Sequence, residues 1–386
     1  MIVVPALAPC SATAAEALVE KYLYAGNLAE GQRALEAALA ADAGDDTARF
    51  GLGVLQIVRG VERLGQSLHK YGVKTEHNNV PFLRLPVPPN DAPSPISYAD
   101  LRRMLDDFDR DLAAAEATLS KVTSDDVKLP LRLALIRLDL TGSGHAGDKL
   151  IDILKKITMR QQFAFLDDNP EFLVAFDRGD VAWLRAYCHL LMGMLDAYLA
   201  FDAERLFQLT AQEMFAKPKG VFAGDADERR ERWSEISRET RFQEPRRLGQ
   251  FRRHFVAITT LNDETWKYIR AETDDDHEWL PNPKQTGVLG LPVRDEMIDA
   301  WLAGMTEARK LFDGERTLPP FLARGDKRLN LKIFLDDPPA KIVGVGLEPL
   351  DDKYFTDEPP VDFDVLGRFF AVMNDPMAVA YAAWFN

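Results

Sequence analysis

The chain has 386 residues, which is enough for two or three domains, or one extended helical array, with a sizeable core. Apolar residues make up 46% of the sequence, and this content excludes wholesale disorder. The formal net charge of -14 argues against nucleic acid and against an anionic membrane surface as partners, because both attract clustered Lys and Arg in excess.

Residues 1–14 form a segment of their own, apolar at first and then rich in small residues. Ala12, Thr13 and Ala14 resemble a signal-peptidase site, although the positively charged start of a signal peptide is missing. A signal peptide without its front and a floppy N-terminus both fit this pattern. We expect a periplasmic or secreted protein, with a cytoplasmic one as the alternative. No apolar run in the sequence approaches the length of a membrane span.

The next two stretches repeat each other at an offset of 34 residues. The matched pairs are Leu18 and Leu52, Leu23 and Ile57, Gly26 and Gly60, and Gly31 and Gly65. This period, with small residues at fixed positions, resembles the tetratricopeptide repeat over residues 12–73. The resemblance implies a domain of residues 15–78 with four antiparallel helices. It places turns at Gly26 and Gly60, and a close helix–helix approach at Gly31 and Gly65.

The resemblance also implies a helical surface that holds a protein or peptide partner. Tyr22 lies where the family usually places an aromatic residue, whereas its counterpart Gln56 departs from that pattern. Tyr22, Asn27 and Gln56 are therefore the candidate binding residues of the repeats. Two units make only a short solenoid, so the helices that follow would have to complete the groove.

A connector at residues 79–97 is rich in proline, which forbids regular helix and favours an extended path. Its apolar residues Phe82, Leu83 and Leu85 favour a packed connector over an exposed proline-rich ligand. Ser97, with Asp100 three residues later, predicts a capped helix start. Apolar residues then recur at helical spacing as far as Leu119, which indicates a helix that buries one stripe.

The segment from Asp139 to Leu150 resembles an EF-hand loop between two helices. Asp139, Thr141 and Ser143 occupy the first three ligand positions, and Gly144 occupies the turn position. The twelfth position, which should be a bidentate Glu, is Leu150. We therefore interpret it as a degenerate helix–loop–helix and expect no cofactor, with weak Ca²⁺ binding at these three residues as the alternative.

The most apolar helix is predicted from Trp183 to Phe201, and apolar residues cover nearly all of its faces. His189 and Asp196 lie inside it, seven positions apart and so on a similar face. Buried polar groups need partners, and this pair fits either hydrogen-bonded structural residues or acid–base residues in a pocket. The acidic residues upstream are interpreted as turns and helix caps; they are Asp167, Asp168, Asp177 and Asp180.

Two charged segments are interpreted as solvent-exposed. The basic stretch from Arg229 to Arg253 contains Arg246, Arg247 and Arg252 but also interspersed glutamates, which favours a solvated helix face. The run from Asp274 to Glu278 holds four acids and a His, yet consecutive side chains on a helix do not converge on one ion and no second His follows at ligand spacing. We therefore expect a solvated loop there.

The C-terminal part is predicted to be less purely helical. Residues from Arg294 to Phe312 follow an amphipathic pattern, and helix is expected again from Val361 to Phe385, with Trp384 and Phe385 docked. The short runs 329–335 and 341–345 fit either a small hairpin or packed loops. We predict a mainly α-helical protein in which the repeats pack on a larger irregular helical domain of residues 98–386. This part resembles helical, repeat-containing bacterial proteins, a likeness that implies no activity.

No local signature of a catalytic site is present, whether of a zinc protease, a nucleotide-binding loop or a serine hydrolase. We therefore expect a non-catalytic protein-binding or scaffold protein that uses its repeat surface. The alternative is a secreted enzyme or small-molecule binder with a pocket near His189 and Asp196. A deep pocket with shifted ionisable groups would favour this alternative, and an open concave face would favour the scaffold.

Overall fold

The computed structural model describes residues 17–74, 81–158, 165–288, 290, 292–318, 323–324, 326–343 and 350–373. It confirms a mainly α-helical protein. The helices are α1 (Leu18–Ala25), α2 (Leu28–Ala41), α3 (Asp46–Tyr71), α4 (Tyr98–Leu119), α5 (Leu150–Thr158), α6 (Phe165–Asp168), α7 (Arg178–Ala200), α8 (Glu204–Met214), α9 (Ala226–Arg238), α10 (Arg246–Ala271), α11 (Asp295–Phe312), α12 (Leu331–Asp336) and α13 (Phe363–Met373).

Among the residues described, short antiparallel strands form four small sheets, and some of them join segments that are distant in the sequence. The strands are β1 (Leu129–Leu131), β2 (Arg137–Leu138), β3 (Asp148–Lys149), β4 (Val174–Phe176), β5 (Glu239–Arg241), β6 (Ala323–Arg324), β7 (Lys327–Leu329), β8 (Lys341–Val343) and β9 (Phe355–Thr356). β1 pairs with β4, β2 with β3, β5 with β8, and β7 with both β6 and β9. Each strand has two or three residues, so the sheets fasten the ends of helices and do not form layers of their own.

The N-terminal region contains three helices where the repeat pattern predicts four. Gly26 ends α1 in the left-handed conformation, with φ at 68°, so the first predicted turn is confirmed. The turn at Gly60 is wrong, because α3 continues through it as a single helix. A Cβ atom at Gly60 would lie 3.1 Å from the Cβ of Asp111 on α4. This glycine therefore serves the close approach of two helices and not a change of chain direction.

Gly31 is where α2 comes closest to its neighbours. A Cβ atom there would lie 2.5 Å from Tyr22 Cβ and 2.7 Å from Leu55 Cδ1, so a side chain requires backbone movement. We expect Gly31→Leu to lower the free energy of unfolding by about 1–3 kcal/mol through overpacking. Chemical denaturation measures this change, with Ala29→Leu on the exposed face of α2 as the control. Equal stability of the two variants would contradict a tight contact at Gly31.

The main apolar core is continuous from α1 to α8. It includes Val19, Leu55, Leu105, Leu195 and Phe215, all buried, and so it crosses the predicted domain boundaries at residues 78 and 97. Within this core α3 packs on α4 and α4 on α7, and α10 packs on α7 through separate apolar clusters. The helix predicted from Trp183 to Phe201 is therefore α7 from Trp183 to Ala200, with Phe201 as its C-cap, and it lies between α4 and α10.

The connector is packed, as its apolar residues predict. Leu83 and Leu85 are buried, and main-chain hydrogen bonds join the chain before the connector, and the connector's own end, to the last residue of α8 and the segment after it. Lys74 N donates to the carbonyl of Met214 at 2.8 Å, and Ile96 N donates to that of Lys217 at 3.0 Å. Ser97 then caps α4 in a capping box with Asp100, which confirms the predicted start of this helix.

The segment 139–150 is a hairpin loop and not the predicted link between two helices. It joins β2 to β3, which pair with each other, and only α5 follows it. The carboxylate of Asp139 accepts the backbone N–H groups of residues 141–144, and the hydroxyl of Thr141 donates to it at 2.9 Å. These hydrogen bonds lower the pKa of Asp139 against burial, which acts to raise it. The carboxylate thereby shapes the loop, while Ca²⁺ binding by Asp139, Thr141 and Ser143 stays a prediction.

The C-terminal part confirms α11 with Arg294 as its N-cap. The run at 329–335 does not pair with residues 341–343, the described part of the run 341–345, because α12 occupies most of the first run and β8 pairs with β5. The last predicted helix is present as α13 as far as Met373, and Trp384 and Phe385 lie outside the described residues. Across the described ranges, no helix has both the length and the apolar character of a membrane span.

Candidate functional site

The polar residues of α4, α7 and α10 meet between these helices. They recur at intervals of three, four or seven positions, which places them on one side of each helix. They are Asp106, Asp109 and Glu116 on α4, Arg185, His189 and Asp196 on α7, and Arg247 and His254 on α10. The remaining surface of α7 is largely buried in apolar core, so these groups form a polar seam inside a hydrophobic frame.

Arg247 lies at the centre of this polar seam, with its side chain 15% exposed. Its Nη1 donates to Asp196 Oδ1 at 2.8 Å, and its Nε donates to Glu244 Oε2 at 2.8 Å. Its Nη2 donates to Asp106 on α4. Burial acts to lower the pKa of Arg247, but the hydrogen bonds to Glu244 and Asp196 outweigh it and raise the pKa above its ordinary value. Arg247 is therefore charged and ties α10 to both other helices.

A second buried guanidinium group, that of Arg102 on α4, supports the first. It pairs with Glu244 and donates to the carbonyl oxygen of Leu199 at 2.8 Å. Leu199 lies in the last turn of α7, where carbonyl groups lack partners within the helix and a cation is favourable. Burial acts to raise the pKa of Glu244, but its hydrogen bonds with Arg247 and Arg102 hold it below its ordinary value.

His189 and His254 form a direct contact between α7 and α10, with their Nδ1 atoms 2.8 Å apart. One Nδ1 must donate and the other accept, because two donors or two acceptors would repel. The opposite ring nitrogens face carboxylates. His189 Nε2 lies 3.7 Å from Glu116 Oε1, and His254 Nε2 lies 3.4 Å from Asp196 Oδ2. In the neutral pair, the histidine whose Nδ1 donates has no hydrogen on its Nε2. One additional proton at that atom would allow both Nε2 atoms to donate to the carboxylates at the same time.

Glu116 lies at the inner end of the polar seam, next to His189. Arg185 approaches its Oε1 with Nε and Nη2, both at 3.0 Å. The hydrogen bond from His189 lowers the pKa of Glu116, and this effect together with Arg185 outweighs burial, which acts to raise it. The inner end of the seam therefore carries a fixed negative charge.

Asp109 is the incompletely paired acid of the site. Its nearest cation is Arg247, whose Nη1 lies 3.7 Å from Asp109 Oδ2 and already donates to Asp196. Burial and the charge of Asp196 raise the pKa of Asp109 to about 6, although Arg247 and His254 act to lower it. Asp109 thus exchanges a proton close to neutral pH, as acid–base and ligand-binding groups commonly do.

Part of the polar seam lines a cleft of about 640 Å³. Asp109, Asp196, Arg247 and His254 face it on one side, and the other lining residues are Ala113, Met192, Gln243, Glu244, Pro245, Arg246 and Gln250. Gln243, Arg246 and Gln250 are solvent-exposed and form its mouth. The volume suits a small organic molecule.

The sequence-predicted binding residues divide into two groups. His189 and Asp196 belong to the cleft region. Asp196 lines the cleft, and His189 contacts the lining residue His254. The three repeat residues lie elsewhere. Tyr22 is buried against the helix packing at Gly31, Asn27 is exposed at the turn between α1 and α2, and Gln56 is half-buried on α3.

Sequence reasoning missed Arg247, Asp109 and His254. The basic stretch was expected to be a solvated face, which fits α9 but is wrong for Arg247 and Arg252, because both are largely buried and paired with carboxylates. The only available signal was the seven-residue interval between Arg247 and His254, which matches that between His189 and Asp196. Comparison with protein-family models, with curated proteins and with solved structures gave no significant match.

Proposed function

We propose that the protein binds a small molecule carrying a cationic amine or guanidine group in the cleft between α4, α7 and α10. The observation that carries this proposal is Asp109, a half-buried carboxyl group that lines the cleft and shares its ion-pair partner Arg247, at 3.7 Å, with Asp196, which Arg247 contacts at 2.8 Å. An amine placed beside it would supply the missing positive charge in a site of restricted solvent access, where such pairs are strongest.

The charge balance of the seam supports a cationic ligand. Its carboxyl groups are those of Asp106, Asp109, Glu116, Asp196 and Glu244, and its guanidinium groups are those of Arg102, Arg185 and Arg247. Acids are therefore in excess, and each of the three guanidinium groups is already engaged with a carboxylate. An anionic ligand would find only the exposed Arg246 at the mouth without a carboxylate partner among the described residues and would have to compete for the other three guanidinium groups, whereas a cation can pair with Asp109.

The lining also provides apolar contact. Met192, Pro245 and the exposed Ala113 offer hydrocarbon surface beside the polar groups, and Gln243 and Gln250 offer both donors and acceptors at the mouth. A few polar groups that fix orientation, set among apolar contacts, are typical of small-molecule sites. A primary amine on a short carbon chain matches this arrangement.

The affinity for amines is expected to depend on pH through Asp109. Protonation of Asp109 removes the charge that the ligand needs, so affinity should rise about tenfold per pH unit below pH 6 and become constant above about pH 7. Calorimetric titration with short alkyl amines and guanidines, each beside its alcohol or urea analogue, measures this dependence. The neutral analogues should bind weakly and without pH dependence.

Two variants on α4 separate the cleft from general surface charge. Asp109→Asn should weaken amine binding by about 10- to 100-fold, which is the range for a lost charged hydrogen bond, and should remove its pH dependence. Asp107→Asn removes a carboxylate two positions away that pairs with Arg110 and does not line the cleft, so it should leave binding unchanged. Equal effects of both variants, or equal affinity for amines and alcohols, would contradict the proposal.

The scaffold function stays a prediction with less support. It depended on a concave surface made by two helical hairpins, and the continuous α3 replaces the second of them. Of its candidate binding residues Tyr22, Asn27 and Gln56, only Asn27 is exposed. An enzyme acting at the same cleft stays the alternative to simple binding.

A further inference from the structure

A second group of carboxylates lies at the start of α7, away from the cleft. Asp177 caps α7, Glu272 follows the last residue of α10, and Glu278 lies in the loop that leads to α11. One oxygen atom from each lies within 4.8 Å of the other two. The segment from Asp274 to Glu278 was predicted to be solvated, which holds for residues 274–277 and is wrong for Glu278, because this side chain is buried.

The backbone around Glu278 holds its side chain inward. His277 adopts a left-handed conformation, with φ at 68°, immediately before it. Glu278 then forms β-bridges with Ala175 and with Gly287, and the amide of Val288 donates to its carbonyl at 2.9 Å. The next residue, Trp279, packs against Phe176 and Trp183 at the beginning of α7. The position of this carboxylate is therefore fixed by main-chain and aromatic contacts on both sides.

Gly179 allows Glu272 to approach the first turn of α7. A Cβ atom at this position would lie 3.2 Å from Glu272 Oε1, which is closer than most side chains tolerate. That oxygen is buried and has no hydrogen-bond partner among the residues that the structure describes, while Oε2 accepts from Gln285 at 3.2 Å. Asp177 uses Oδ1 to cap the amides of Gly179 and Asp180.

Asp180 supplies an independent indication of a missing cation. It is 4% exposed, and its Oδ2 accepts from the amide of Asp177 at 3.1 Å in the capping box. Its Oδ1 is buried and has no hydrogen-bond partner within the described residues. This capping-box hydrogen bond holds Asp180 beside Asp177, one of the three cluster residues. A buried carboxylate oxygen without a partner is costly unless a proton or an ion occupies the space beside it.

No Lys, Arg or His in the described ranges forms an ion pair within 4.0 Å of any of these four acids. The nearby Lys128 is taken by Asp274 and Asp276, and Arg178 by Glu264. Like charges this close are unfavourable.

We propose that Asp177, Glu272 and Glu278 bind a divalent cation, with Ca²⁺ as the best match, and that Asp180 borders the ion. Ca²⁺ binds carboxylate oxygens at about 2.3–2.6 Å, so oxygens on opposite sides of it are up to about 5 Å apart, as this cluster allows. Mg²⁺ requires a tighter octahedron and is less well matched. The ion joins the start of α7, the end of α10 and the loop before α11, and the site is independent of the cleft.

The test uses the full chain, first freed of metal with a chelator and then titrated with CaCl₂ in a calorimeter and in thermal melts. We expect saturable binding to a single site and a rise in Tm with Ca²⁺ concentration, because a ligand that binds only the folded state stabilises it. MgCl₂ should bind more weakly. Absence of heat and of any Tm change with Ca²⁺, Mg²⁺ and Mn²⁺ would overturn the proposal and leave shared protons as the means by which the cluster is neutralised.

Matched variants locate the ion. Glu272→Gln and Glu278→Gln keep the shape of the side chain and resemble the protonated acid, so the fold is retained, as circular dichroism can verify. Each should weaken Ca²⁺ binding by at least about tenfold. Asp276→Asn removes an exposed carboxylate two positions from Glu278 and should change the affinity by less than about threefold. Ca²⁺ binding that survives both Gln variants would place the ion elsewhere and overturn this assignment.

Discussion

Replacing Arg247 with Met is expected to lower the free energy of unfolding by about 3–5 kcal/mol at pH 7. The methionine fills much of the same volume, but the carboxylates of Asp106, Asp196 and Glu244 lose the hydrogen bonds that compensate for their burial. Breaking one side of a buried ion pair costs more than the pair contributes, because the remaining charges stay out of water. Urea denaturation followed by circular dichroism measures the change.

Two further variants test whether the loss of stability in Arg247→Met comes from its broken ion pairs. Arg246→Met removes a neighbouring guanidinium group that is exposed at the mouth of the cleft, and it should change stability by no more than about 0.5 kcal/mol. Adding Asp196→Asn to Arg247→Met should restore part of the lost stability, because one uncompensated charge is removed. A loss of less than about 1 kcal/mol for Arg247→Met alone would contradict the central role assigned to this residue.

The opposite result is expected for Asp109→Asn, which should be more stable than the wild type at alkaline pH. The pKa of Asp109 is about 6 in the folded chain and 3.8 as the ordinary value, so the folded state binds the proton more tightly than the unfolded state. The stability contributed by this group is complete below about pH 4, falls as the pH rises to about 6, and stays low above that. A neutral Asn avoids this loss, and at pH 7.5 the gain should be about 1–3 kcal/mol.

Denaturation curves at pH 4 and at pH 7.5 test whether the stability difference between Asp109→Asn and the wild type changes with pH in this direction. The stability difference between Asp109→Asn and the wild type should be largest at pH 7.5 and small at pH 4, whereas the control Asp107→Asn should show no such trend. A variant destabilised equally at both values would show that the carboxyl group is a structural acceptor. If Asp109→Asn is more stable and no longer binds amines, Asp109 lowers the stability of the folded protein and is required for binding the ligand. Such a trade-off is common at functional sites.

Local patterns predicted the helices well where the signal lies within one helix. The capping residues Ser97 and Asp100 and the apolar spacing that follows define α4, and the uniform apolar character of α7 indicates burial on most of its circumference. Gly31 was predicted correctly as a point of close approach. The role of Gly60 was predicted wrongly as a turn. The sequence alone does not distinguish a glycine in a turn from a glycine beneath a crossing helix, and here only the position of Asp111 does so.

The candidate site was only half predictable for a related reason. His189 and Asp196 are conspicuous because polar residues are rare in an apolar helix. Asp106 and Arg247 are inconspicuous, because each lies in a strongly charged stretch, and their contact joins positions 141 residues apart. The burial that gives Asp109 its raised pKa exists only after α4, α7 and α10 have packed together. No feature of one helix alone contains that information.

The connector between α3 and α4 has a consequence for synthesis on the ribosome. Lys74, where the connector leaves α3, donates its side-chain Nζ to the carbonyl of Gln212, a residue made 138 positions later. At ordinary rates of translation this delay is roughly seven to thirty seconds. Within that interval α4 is completed at Leu119, and the apolar stripe of α4 that will meet α7 stays uncovered until α7 is completed at Ala200, 81 residues later. The nascent chain therefore passes through a prolonged aggregation-prone stage, in which a chaperone that shields α4 would raise the yield of folded protein.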